Sequence, residues 1–190
     1  MNDQDESLEA LLGALRKAVT ALRDADVDFL LGGSMASWAR GGPSTDHDVD
    51  LFLLEDDAER AAEALAASGF EIERPAEGWL LKAWDGDVLV DVIFHPSSGE
   101  IDDDVFERAE EMEVDAIRLR VASLEDVLAA KLLGLNEQNL DFRPSLEVAR
   151  ALREQIDWRA IEERTSGSPY ARAFIFMARE LEIAPLEPTA

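Results

Sequence analysis

Residues 32–51 read GGSMASWARGGPSTDHDVDL: two glycines and a serine, thirteen further residues, then Asp48-Val49-Asp50-Leu51. Side chains alternate across a β-strand, so Asp48 and Asp50 point to one face while Val49 and Leu51 point into a core. Two carboxylates on one face repel each other. A cation between them relieves the repulsion, and hard oxygen ligands suit Mg2+ or Mn2+. Upstream, Gly32 and Gly33 end a strand where a helix begins. Glycine lets backbone N–H groups come close to phosphate oxygens, the helix start adds partial positive charge, and Ser34 adds a hydroxyl.

A third acid, Asp91, lies in VLVDVIF, an otherwise apolar strand of residues 88–94. A lone ionised aspartate there costs several kcal/mol unless it is paired or ligated. The segments WLLKAW and DVLVDVIF flank Asp85-Gly86, which predicts a two-residue hairpin. That turn would set Lys82 opposite Leu89 and Leu80 opposite Asp91, with Lys82 on the face of Asp91 but displaced diagonally. Lys82 would then reach a metal-bound phosphate or pair with the acid. Asp48, Asp50 and Asp91 are the expected metal ligands. Gly32, Gly33, Ser34, Arg40 and Lys82 are the expected nucleotide-binding residues. Together they supply the parts of metal-assisted phosphoryl-type transfer from an NTP.

This pattern resembles the DNA polymerase β-like nucleotidyltransferases. Their signature is a hydrophobic residue, Gly-Gly or Gly-Ser, a loop of about a dozen residues, Asp-h-Asp/Glu-h, and a third acid on a later strand. Within that group, residues 32–51 look most like the AbiEii/MenT-type toxin transferases and the small antibiotic nucleotidyltransferases. LEDVLAAKLLGLN followed by LDF is similar to the lysine-bearing helix and acid-bearing segment of the AbiEii/MenT group. The resemblance implies that Lys131 is a catalytic residue contacting the triphosphate, with Asp141 a candidate for the later acid. It also implies transfer of an NMP to an acceptor hydroxyl, with tRNA as the acceptor and an antitoxin protein as partner. The alternatives are a small hydroxylated acceptor, of aminoglycoside or lincosamide type, or a non-catalytic nucleotide-binding module.

Outward from this stretch, residues 7–24 have helical spacing, VDFLLGG and HDVDLFLL read as strands, and an alanine-rich helix covers 56–68. Residues 100–115 read as a helix and an acidic surface connection, AIRLRV as a strand, and 123–136, 143–155, 157–164 and 168–182 as helices. The fold class expected is α/β (α+β), a small mixed sheet flanked by helices. It divides into a nucleotidyltransferase core over 1–122 and a helical C-terminal part over 123–190.

The 190 residues include no cysteine, which removes disulfides, thiolate metal sites and cysteine nucleophiles. The polar start and the lack of a long apolar run lead to the expectation of a cytoplasmic protein with no membrane partner. Net charge is −24. Residues 1–130 carry 10 basic and 32 acidic side chains, net −22, whereas 131–190 carry 8 and 10, net −2. Such a field repels nucleic acid unless basic groups gather locally, which makes Arg143, Arg150 and Arg153 the expected RNA-facing residues. It attracts a cationic small molecule.

Each of these residues has a plainer reading. Asp46, Asp48 and Asp50 mimic the first three ligands of a calcium loop, but position six is Leu51 rather than glycine and LFLL follows. Lys131 fits the polar side of an amphipathic helix, Lys82 a structural ion pair, and Arg40 and Thr45 loop or capping roles. His47 and His95 read as packing residues near the site. The four tryptophans read first as core or interface groups, with one available to stack on a base.

Overall fold

The computed structural model describes residues 3–45, 48–96 and 98–186. Asp46 and His47 lie outside the described residues. Helix α1 (Asp3–Asp24) leads into β1 (Leu30–Leu31), α2 (Gly33–Ala39) and β2 (Asp48–Phe52). A 3₁₀ turn (Glu55–Asp57) runs into α3 (Ala58–Ala67), then β3 (Glu71–Glu73), β4 (Leu80–Asp85) and β5 (Val88–Ile93). After α4 (Asp103–Glu107), the strands β6 (Glu110–Val114) and β7 (Ile117–Val121) close the sheet. Helices α5 (Leu124–Leu133), α6 (Arg143–Ala151), α7 (Trp158–Thr165) and α8 (Pro169–Glu180) follow. The fold is mixed α/β: one seven-stranded sheet in the order β3-β4-β5-β2-β1-β7-β6, with helices packed on it.

At the centre of the sheet β2 pairs in parallel with β5 and antiparallel with β1. Val49 and Leu51 are fully buried, as are Val90 and Val92 beside them. These residues form the inner face against α1, whose Leu11, Leu15, Ala18 and Leu22 recur every three or four residues. Burial of such side chains contributes about 1.5–3 kcal/mol each before entropy is counted. A second apolar cluster gathers Leu124, Leu128 and Leu132 of α5 with residues of α6, α7 and α8. Helix α5 thus touches the sheet-side cluster through Val127 and the helical cluster through its leucines.

Two expectations need correction. The β4–β5 hairpin turns at Gly86-Asp87 rather than Asp85-Gly86, because Asp85 pairs with Val88. Gly86 has φ +62 and Asp87 is not left-handed, which is the pattern of a type II′ turn with glycine first. The register therefore moves by two residues, and Lys82 sits directly opposite Asp91 instead of diagonally. Residues 110–114, expected within a helix or connection, instead form β6. Two of its three glutamates face the arginines of β7, Glu111 opposite Arg120 and Glu113 opposite Arg118. The link is a two-residue turn with Asp115 and Ala116 both left-handed, at φ 48 and 62, a type I′ geometry that the residue types do not advertise.

Candidate active site

The parallel register of β2 and β5 sets Asp50 beside Asp91, and strand alternation brings Asp48 to the same face. Carboxylate oxygens of Asp48, Asp50 and Asp91 lie within 4.8 Å of one another. Asp91 Oδ1 is buried and has no hydrogen-bond partner among the described residues. Burial, then Asp48 and Asp91, push the Asp50 carboxyl up to about 7, against the lowering effects of Lys131 and of the Ser34 backbone N–H. Burial also raises Asp91, against Lys82. Among the described residues, three acids held this close form a donor set that could hold a divalent cation, and its all-oxygen chemistry fits Mg2+ or Mn2+.

The turn above them is built around the glycines. Gly32 N–H donates to the Asp50 carbonyl at 2.9 Å, continuing the β1–β2 pairing. A Cβ on Gly32 would come within 2.6 Å of the Phe52 ring. Gly33 opens α2 at φ +54, a region that side chains disfavour, and a Cβ there would stand 1.5 Å from Asp50 Oδ2. Both glycines are therefore required by close approach, and the approach at Gly33 is to the site itself.

Lys131 Nζ donates to Ser34 Oγ at 3.2 Å, bringing α5 over the start of α2. Helix α5 is anchored at its other end. Ser123 Oγ accepts from Asp126 N–H at 3.1 Å and donates to Asp126 Oδ2 at 2.6 Å. Asp126 also accepts from Arg108 Nε and Nη2, both at 3.0 Å, and from Arg164 Nη1 at 2.9 Å.

The remaining expected residues divide. Lys82 Nζ stands 3.9 Å from Asp91 Oδ1, on the far side of the acids from Ser34. Arg40 ends α2, some 10 Å along the helix from Gly33 by its rise. Its guanidinium donates to the Ala36 carbonyl at 3.1 Å and lies 3.8 Å from Glu110. Asp141 is paired with Arg143 at 2.7 Å, Arg153 with Glu154 at 3.1 Å, and Arg150 is exposed. His95 is exposed, and its backbone N–H donates to the Trp79 carbonyl.

Two cavities meet at Lys131. One, of about 210 Å³, is bordered by Ser34, Ser37, Ser44, Thr45 and Glu147. The other, also about 210 Å³, runs from Gly33 and Asp50 past Phe52 and Ile93 to Trp79. Gly33, Asp50 and Lys131 belong to the motif reading, whereas Phe52, Ile93, Pro96, Val127 and Ala130 around this second cavity are the ones it misses. Phe52 and Ile93 lie two positions beyond Asp50 and Asp91 and so share their face, a signal available from alternation alone.

Residues 11–177 match the family described as "Nucleotidyl transferase of unknown function (DUF2204)". No curated protein matches the chain. Among solved structures, the fold is similar to that of ANT(2″)-Ia in complex with adenylyl-2″-tobramycin, at TM-score 0.60 and 16% identity, covering 88% of this chain and 97% of that one. It is also similar to the lincosamide antibiotic adenylyltransferase LnuA, lincomycin-bound, at TM-score 0.50 and 13% identity, over 70% of this chain and 91% of that one. TM1012 of Thermotoga maritima gives TM-score 0.51 and 19% identity, over 64% and 82%. At these identities the likeness is one of fold.

Proposed function

The chain belongs to the DUF2204 nucleotidyl transferase family, and from that premise we propose that it moves a nucleoside monophosphate from an NTP to an acceptor hydroxyl, releasing pyrophosphate. The observation that carries this reading is the convergence of Asp48, Asp50 and Asp91 within 4.8 Å under a turn whose Gly33 leaves no room for a Cβ. Asp48, Asp50 and Asp91 would hold Mg2+ or Mn2+. A bound ion would supply charge neutralisation and a lowered pKa for the attacking hydroxyl. Ser34 and Lys131 would hold the β- and γ-phosphates, and Lys131 would offset charge developing on pyrophosphate. The division into a core over 1–122 and a helical part over 123–190 gives that lysine to the second part and the acids to the first. Arg40, buried against Glu110, would hold α2 in place rather than touch phosphate.

For the acceptor we favour a small, hydroxylated, cationic molecule. The net charge of −24 and the position of Glu73, close enough to raise Asp91 further, favour positive charge on that side of the acids. Proteins of the same fold carry adenylyl-tobramycin and lincomycin. A tRNA acceptor, with an antitoxin as partner, is the second reading, as resemblance to the AbiEii/MenT group implies. The observation favouring it is a stripe on α6, where Arg143 and Arg150 flank Glu147 at helical spacing beside the hydroxyl-bordered cavity.

The test is transfer of label from each α-labelled NTP, with Mg2+, to a panel of aminoglycosides, to lincosamides and to total tRNA. Label on a cationic small molecule, lost in Asp48→Asn and Asp50→Asn, is the expected result. Label on tRNA alone replaces the first reading with the second. Near wild-type transfer by Asp50→Asn refutes the site.

A further inference from the structure

Resting on the transferase reading, we propose that Trp79 is the stacking platform for the nucleobase of the NTP, in the cavity between Asp50 and Trp79. The site has a direction set by strand order. Across the sheet, Lys82 on β4, Asp91 on β5, Asp50 on β2 and Gly32 at the end of β1 occupy neighbouring positions about 4.8 Å apart. The β- and γ-phosphates belong at the Gly33–Ser34–Lys131 end of this row. Displacement at phosphorus is in line, so the acceptor oxygen enters from the opposite end, beside Asp91 and Lys82. The nucleoside must leave the α-phosphate on a third line, across that axis.

The cavity supplies that line. It starts at Gly33, Asp50 and Lys131 and extends along the strands, over Phe52 and Ile93, which follow Asp50 and Asp91 by two residues on the same face. Its far end is Trp79, one of the few large apolar side chains left exposed, at 39%. Its backbone is fixed: the Trp79 carbonyl accepts from Phe94 N–H and His95 N–H, both at 3.2 Å. The space is thus polar where phosphate would lie and apolar and aromatic where a flat, uncharged ring would lie. Its hydrogen-bonding groups are concentrated at the phosphate end, so the platform grips a base by its face and discriminates weakly among bases.

The experiment compares full-length wild type, Trp79→Ala and Trp79→Phe by calorimetric titration with Mg2+ and either a non-hydrolysable ATP analogue or tripolyphosphate. Thermal unfolding confirms that each variant is folded. Alanine should weaken binding of the ATP analogue about tenfold to a hundredfold and leave tripolyphosphate binding unchanged, while phenylalanine should retain most of the affinity. The same pattern should hold with a GTP analogue. If wild type prefers the nucleotide to tripolyphosphate and Trp79→Ala does not alter that preference, the base lies elsewhere and the assignment fails alone. The assignment also fails if Trp79→Ala raises only the KM of the acceptor. If wild type binds neither ligand, the transferase reading fails and takes this assignment with it.

Discussion

A Cβ on Gly33 would stand 1.5 Å from Asp50 Oδ2, so the turn that opens α2 and the central acid of the site occupy space that admits no side chain between them. The Ser34 N–H beside it reaches the Asp50 carboxylate. Turn and acid are one unit: the backbone of the turn holds the carboxylate, and the carboxylate fixes what residue 33 can be.

Gly33→Ala is therefore expected to act twice. The left-handed backbone at φ +54 costs a side chain about 1–2 kcal/mol. The clash must also move Asp50 by an ångström or more, which should lower turnover on the order of 100-fold. Thermal unfolding with and without Mg2+, beside transfer rates, separates the two effects. Wild-type turnover in a folded Gly33→Ala protein would refute the coupling.

Asp50 carries a pH signature. Its folded value is raised to about 7 from the ordinary 3.8 of an aspartate, so below about pH 7 the folded, metal-free protein holds the neutral acid. The associated stability is complete below 3.8, declines as pH rises through that window, and is gone above about 7. Metal-free wild type should thus lose melting temperature relative to Asp50→Asn between pH 5 and 7.5. Mg2+ should stabilise wild type more at pH 7.5 than at pH 5.5, because at the lower pH the ion competes with a proton. Parallel pH profiles for the two proteins would contradict the assignment.

Not all of this geometry is visible in the sequence. That Asp48 and Asp50 share a face follows from a period of two, and the glycines announce a tight turn before α2. The pairing of Asp50 with Asp91 depends on β2 and β5 being parallel neighbours, which is a topological fact that local pattern does not contain. The β4–β5 register is set by which two residues make the turn, and Asp-Gly-Asp allows more than one choice. Strand β6 hides because EEMEV reads as acidic surface until the arginines of β7 are placed opposite it. Arg40, just before the loop of residues 41–46, reads as a nucleotide-binding or capping residue, and the contacts of its guanidinium, to the Ala36 carbonyl and toward Glu110, are not visible in the sequence.

Lys82 faces Asp91 directly, at 3.9 Å, and holds the Asp91 carboxyl below where burial alone would put it. Removing the cation in Lys82→Met should raise Asp91 further. The acid limb of the kcat/KM profile should then move to higher pH, with a smaller loss of activity at pH 8 than at pH 6.5. Lys82→Arg should restore the limb toward wild type. A uniform loss at every pH would mean that Lys82 acts on substrate rather than through Asp91.

Asp126 is where α5 is tied down, 13% exposed and gripped by Arg108 from beyond α4 and Arg164 from α7. Asp126→Asn keeps the shape but removes the charge that both guanidiniums share. Because Arg108 and Arg164 are about a third exposed, at 36% and 31%, water takes up part of the loss. The expected cost is about 1–2 kcal/mol, less than for a fully buried pair. For a chain of this size that corresponds to a fall in melting temperature of about 2–8 °C. Lys131 lies on the same helix, five residues on, so loosening the anchor should also weaken tripolyphosphate binding in the presence of Mg2+. Arg164→Gln, which leaves the Arg108 pair in place, should show a smaller version of both effects. An unchanged melting temperature in Asp126→Asn would show that the knot is incidental, and that Lys131 is held over Ser34 by the apolar packing of α5 alone.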